Sequence, residues 1–105
     1  MLKNAGVEPD AHTISCSESM DISVVAEIQL QLIKALESGK TVILDAHQVE
    51  RADTAALQVL SAFFQDAKTQ AQKVAWKEPS DALCRSAALL DLSNVLNLEP
   101  ILSIH

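Results

Sequence analysis

Thr41 to Leu44 (TVIL) is a run of four residues, each apolar or β-branched. It is too short for a buried helix and shows no polar alternation, so it reads as a central strand covered on both faces. A segment with helical spacing lies on either side of it. Upstream, Ile22, Val25, Ile28, Leu32 and Leu36 recur at intervals of three and four and form one apolar face. Asp21 stands where an N-cap is needed, and Gly39 falls just past the helix end. Downstream, a second helix is expected from Thr54 to Ala71, with Ala56, Leu60, Phe63 and Ala67 inward and Gln65, Asp66, Lys68 and Gln70 in solvent.

The same alternation extends to both sides. His12 to Ser17 alternates like a half-buried strand, with Ile14 and Cys16 on one side. Lys73 to Trp76 (KVAW) reads as another short strand. Pro79 and Ser80 carry the start signals of a third helix through Leu90, with Leu83, Ala87 and Leu90 inward. Leu92 to Leu98 suits one further helical turn, and Leu98 to Ile104 a last edge strand. Residues 1–11 are polar and read as a lead-in or a short edge strand, leaving residues 12–105 as a single domain. Strands alternating with helices define an α/β fold with parallel neighbours. In such a fold the C-terminal ends of strands and the N-termini of helices gather on one edge, where function usually sits. The loop His47–Ala52 leads to that edge, and Asp45, Asp53, Thr54 and the Met20-Asp21 turn are expected on it.

Composition narrows the function classes. The chain has only two glycines, two phenylalanines and one tryptophan, with no tyrosine. An Ala/Leu/Val/Ile core suits helices packed closely on a small sheet and offers no aromatic platform for nucleic-acid bases. A net charge of −6 disfavours electrostatic binding to nucleic acid or to an anionic membrane. Residues 1–11 hold no apolar stretch, so no signal peptide is expected, and no run approaches the ~20 apolar residues of a membrane span. Cys16 and Cys84 are far apart without a CxxC spacing and read as free thiols of a reducing cytoplasm.

Catalytic and cofactor signals are missing from the sequence. There is no GxGxxG, no GxxxxGK[ST] and no GxSxG. His12, His47 and His105 are scattered without metal-ligand spacing, so neither a metal nor a cofactor is expected. His47 has Asp45 and Glu50 within reach as partners, or stands in solvent as a loop residue. Trp76 either covers the rim of the core or anchors a partner contact, because tryptophan is enriched at interface hot spots. Thr54 or Asp53 caps the second helix, and the Thr54 hydroxyl is either a cap and nothing more or a site that a phosphate can switch.

The order of elements and one local motif resemble the STAS domain, the fold of bacterial anti-anti-sigma factors. The resemblance covers His12 to Leu98. The family motif is a strand ending in Asp, a short loop, then D-S-S-G-L opening a helix. Here Leu44-Asp45 and Asp53-Thr54-Ala55-Ala56-Leu57 correspond to it, and Met20-Asp21 to the end of the family's G-E-L-D turn. The resemblance implies a small mixed β-sheet with helices mainly on one side. It also implies a non-enzymatic regulatory module of the anti-sigma-factor-antagonist kind, phosphorylated at Thr54. Its protein partner would meet it through Asp21, Asp45, Asp53, Thr54, Ala55, Ala56, Leu57 and Trp76. That partner is a GHKL-type kinase or related signalling protein. Alternatively, because the small STAS subunit of lipid-trafficking ABC transporters also uses D-T here, it is the transporter ATPase. A homodimer is compatible with the acidic surface and Trp76. Ala56 stands where the family usually has Gly, and its methyl is expected to meet an approaching partner backbone.

Overall fold

The structure is a computed structural model that describes residues 11–98. The lead-in before residue 11 and the last edge strand, 98–104, lie outside the described residues apart from Leu98. The elements run β1 (His12–Ser15), β2 (Ser19–Met20), α1 (Ile22–Ser38), β3 (Val42–Asp45), β4 (Arg51–Ala52), α2 (Thr54–Thr69), β5 (Val74–Lys77) and α3 (Asp81–Leu89). Three strands form a sheet in the order β1-β3-β5, and β2 pairs separately with β4. Every ladder among the described residues is parallel, with Ile14↔Leu44↔Trp76 in one register row and Ser15↔Asp45↔Lys77 in the next.

β3 is central, as its composition predicts, but among the described residues it is not covered equally on both faces. Val42 and Leu44 are fully buried, whereas Ile43 is only half-buried. Ile43 lies between Thr13 and Ala75, both exposed. Among the described residues, one face of the sheet therefore carries the core and the helices, and the other carries Thr13, the half-buried Ile43 and Ala75. Leu57, Leu60, Phe63 and Phe64 of α2, Ile28, Leu32 and Ala35 of α1, and Leu83 and Ala87 of α3 close that core.

Two apolar residues expected inward point outward. Ile22 is 72% exposed and Leu90 41%. The core direction of α1 is set by Ile28, Leu32 and Ala35. At 100° per residue Ile22 stands about 120° from Ile28, off that face. Leu90 is the C-cap residue of α3, beyond its last core turn.

With so few glycines, the helices end by other means. Gly39 closes α1 at φ 70. Ala71, Asp91 and Asn97 take the same left-handed conformation at φ 56, 61 and 56. Each precedes a residue whose N–H closes a six-residue turn: Gln72 to Ala67 O (2.8 Å), Leu92 to Ala87 O (2.8 Å) and Leu98 to Ser93 O (2.9 Å). The third of these, with Leu96 N–H donating to Leu92 O at 3.0 Å, forms the single turn expected over Leu92–Leu98. An L-residue with a Cβ costs ~1–2 kcal/mol in the left-handed region, and less for Asn and Asp. Ala71 therefore carries the most strain of the three. Ala71→Gly is expected to raise unfolding stability by about 0.5–1 kcal/mol after the added entropy of the unfolded chain is set against it. A urea titration followed by Trp76 fluorescence checks this.

Candidate functional site

The site is built on the shortest ladder of the fold. Met20 pairs with Ala52, and the Asp53 N–H then donates to Met20 O at 3.0 Å. Adjacent strands lie ~4.8 Å apart, so the residues that follow this pair, Asp21 and Asp53, leave the ladder side by side. Each opens a helix. Asp21 Oδ1 accepts from the Ser23 N–H at 2.9 Å and from Ser23 Oγ at 2.6 Å. Asp53 Oδ1 accepts from the Ala56 N–H at 3.1 Å. Both are extended N-caps satisfying orphan donors of a first turn. The cap of α2 is therefore Asp53, and Thr54 is the first helical residue.

The loop before the motif is pinned from beneath. Gln48 Nε2 donates to Cys16 O at 3.0 Å, and the Glu50 and Arg51 N–H groups both donate to Glu18 O, at 2.8 and 3.0 Å. These bonds fix β4 against β2. α3 reaches the same edge: Ser80, which caps it by accepting from the Leu83 N–H at 3.1 Å, donates its own N–H to Ala46 O at 3.3 Å. Three helix N-termini thus gather at the strand ends.

The eight residues singled out from the sequence divide into three groups. Asp21, Asp53, Thr54 and Ala55 lie together, with Asp53 and Thr54 exposed and Asp21 and Ala55 half-buried. Ala56 and Leu57 are buried at 2% and 0%, facing Met20 and the core. They hold α2 in place and offer no side-chain surface. The Ala56 side chain is turned inward and lines a small apolar cavity with Met20, Val24 and Val59. Asp45 and Trp76 are engaged elsewhere. Asp45, at the end of β3, accepts from the His47 ring at 2.8 Å and from the His47 N–H at 3.3 Å. Trp76 stacks on Phe64 with centroids 5.6 Å apart and donates Nε1–H to Leu96 O at 2.8 Å. Its ring and its N–H are both used to close the core rim.

Ile22, expected on the inward face of α1, stands exposed at this edge instead. Ile22 is the first residue of α1, as Thr54 is the first residue of α2. It is the large apolar side chain exposed beside the two carboxylates. The signal was its place directly after a cap, out of phase with the core-facing residues of α1. The surface of this edge is therefore an isoleucine and a threonine hydroxyl flanked by two acids.

Electrostatics separate the carboxylates in the same way. The Ser23 hydroxyl and N–H hold Asp21 below its ordinary pKa, and the charge of Arg51, which pairs with Ser19 on the ladder, adds to this. Asp45 is held low by His47, chiefly through the side-chain bond, with Lys77 adding its charge from the adjacent strand. Burial pushes the Cys16 thiol up to about 11, with the Asp45 charge contributing, and burial likewise raises Cys84. Both thiols are free and buried, and neither has the thiolate character of a nucleophile. Among the described residues no group of three or more His, Cys, Asp or Glu could hold a metal ion, and no helix is long and apolar enough to cross a membrane.

The fold and this edge define a small α/β domain with three helix N-termini at the ends of its strands. A family model described as "Mlab, STAS domain" matches residues 5–100, and the chain belongs to the STAS domain family. No curated protein matches the chain significantly. STAS domains are in general non-enzymatic regulatory modules that act through contacts with other proteins.

The carboxylate environment has a measurable consequence. A depressed folded-state pKa contributes stability that is present above the unfolded value near 3.8 and lost as pH falls through the folded value. His47→Ala is expected to move the Asp45 titration up toward 3.8, and Ser23→Ala to do the same for Asp21. Each is expected to leave the other carboxylate in place. Carboxyl-detected NMR titrations of the two variants check this.

Proposed function

We propose that this chain is a docking module whose contact surface is the edge carrying Asp21, Ile22, Asp53 and Thr54. The observation that supports it is the pairing of an exposed apolar side chain with a hydroxyl that the helix does not use. Asp53 supplies the cap, so the Thr54 hydroxyl is left for a partner or a phosphate. Ile22 supplies the apolar area that a partner desolvates on binding.

The partner favoured by this reading is the ATPase subunit of a lipid-trafficking ABC transporter. Two features support it: the Asp53-Thr54 step, which the small STAS subunits of such transporters share, and the fit to a family model carrying the description Mlab. In this reading Thr54 is a constitutive contact. The second reading, an anti-sigma-factor-antagonist-like switch with a GHKL-type kinase as partner, is supported by the accessibility of Thr54. A phosphate there would add a charge of about −1.5 to −2. The α2 N-terminus would favour it by ~0.3–1 kcal/mol. Asp53 and Asp21 would oppose it. At roughly 6 Å each unit-charge pair costs about 0.7 kcal/mol in bulk water and about 3 kcal/mol at an effective dielectric of 20. A phosphate tolerated by the solvated domain would thus be expelled from a dried interface, releasing the partner with the fold intact.

Co-purification of wild type, Thr54→Ala and Thr54→Glu with the candidate ATPase and with the candidate kinase separates the readings. Loss of the ATPase from both variants, each still folded, supports constitutive docking. Release of a kinase by Thr54→Glu alone supports the switch. Equal retention of either partner by all three proteins contradicts a role for Thr54. Ile22→Glu is expected to weaken whichever complex forms by at least about thirtyfold, the scale of a hot-spot residue.

A further inference from the structure

The face of α1 opposite the core carries a pattern that neither the fold nor the docking edge uses. Ala26, Leu30, Ile33 and Glu37 recur at intervals of four, three and four, the spacing of a coiled-coil seam. At 100° per residue they centre about 170° from Ile28. Leu30 is 62% exposed and Ile33 44%. Two exposed, oppositely charged residues, Glu27 and Lys34, flank this seam on one side, seven residues apart. Among the described residues the one ion pair is His47–Asp45, and neither Glu27 nor Lys34 is paired with another of them.

We infer that the outer face of α1 is a self-association surface on which a second copy of this chain lies antiparallel. The charge pattern selects both the occupant and the direction. In an antiparallel pair of identical helices, Leu30 of each copy packs against Ile33 of the other. Glu27 of each then meets Lys34 of the other across the same flank, so both charges are neutralised twice by the two-fold axis. A parallel pair would place Lys34 opposite the uncharged Gln29 and leave Glu27 and Lys34 without those partners. The 17-residue helix is about 25 Å long, and its apolar seam is two side chains per copy. Such an interface is smaller than that of a stable complex, so the dimer forms at high protein concentration. It uses the outer face of α1 and leaves Thr54 at the start of α2 free for the docking proposed above.

Sedimentation equilibrium of the full chain, with Glu27→Lys, Lys34→Glu and their equimolar mixture, tests this. Wild type is expected to show a reversible monomer–dimer equilibrium that weakens with salt. Each single charge reversal places like charges opposite one another and is expected to weaken self-association by about tenfold. The mixture is expected to recover wild-type association, because each reversed copy then meets its complement. Leu30→Glu is expected to abolish the dimer, with the far-ultraviolet circular dichroism of the fold retained. A wild type that stays monomeric into the millimolar range overturns the proposal and leaves this seam to a different protein. Single reversals that change nothing, or a mixture no stronger than its components, overturn it as well. If a reversed variant loses its fold, Glu27→Gln and Lys34→Gln replace the pair, and wild-type association by both then counts against the inference.

Discussion

The β2–β4 ladder is two residues long on each side, and the geometry of the proposed docking edge depends on it. It sets Met20 beside Ala52, with the Asp53 N–H donating to Met20 O, so that the caps Asp21 and Asp53 follow directly from the pair. Two helices of 17 and 16 residues then start from adjacent points. Neither strand would be stable alone. The ladder is held by its surroundings: Met20 is buried, Glu18 O accepts two N–H groups, and Gln48 ties the following loop to Cys16 O.

Much of the architecture is legible in the sequence because its signals are local. Asp21, Asp53 and Ser80 cap their helices in the structure, and cap chemistry depends only on the next few residues. β1, β3 and β5 appear at the expected runs because four apolar or alternating residues are enough to carry a strand period. The β2–β4 pair is not legible, since two residues carry no period. The coverage of β3 is only half legible. A run such as TVIL states that its side chains tolerate burial, while the exposed neighbours Thr13 and Ala75 decide which face is covered.

The site is less legible than the fold, and for a different reason. Membership of a motif places residues in order along the chain but says nothing of direction. Ala56 and Leu57 belong to the motif and point into the core. Asp45 ends its strand in the expected place but is held by His47 and Lys77. Trp76 is held by Phe64 and Leu96. Ile22 belongs to no motif, yet it is the apolar residue exposed on the edge. The Ala that stands in place of the family's Gly at position 56 has its side chain buried, 2% exposed. These placements make the edge smaller and more specific, with an apolar contact, a free hydroxyl and two acids, one of them drawn down by Ser23 and Arg51.

The central claim is that this edge is where the domain meets its partner. Amide hydrogen exchange of the chain, free and saturated with the ATPase or kinase it co-purifies with, tests that claim most directly. Docking at the edge predicts slowed exchange at the first turns of α1 and α2, residues 22–25 and 54–57, with the exposed end of α3 at Leu89 unchanged. Protection confined to α3 or to the sheet face at Thr13, Ile43 and Ala75, with both first turns exchanging as in the free chain, would contradict it.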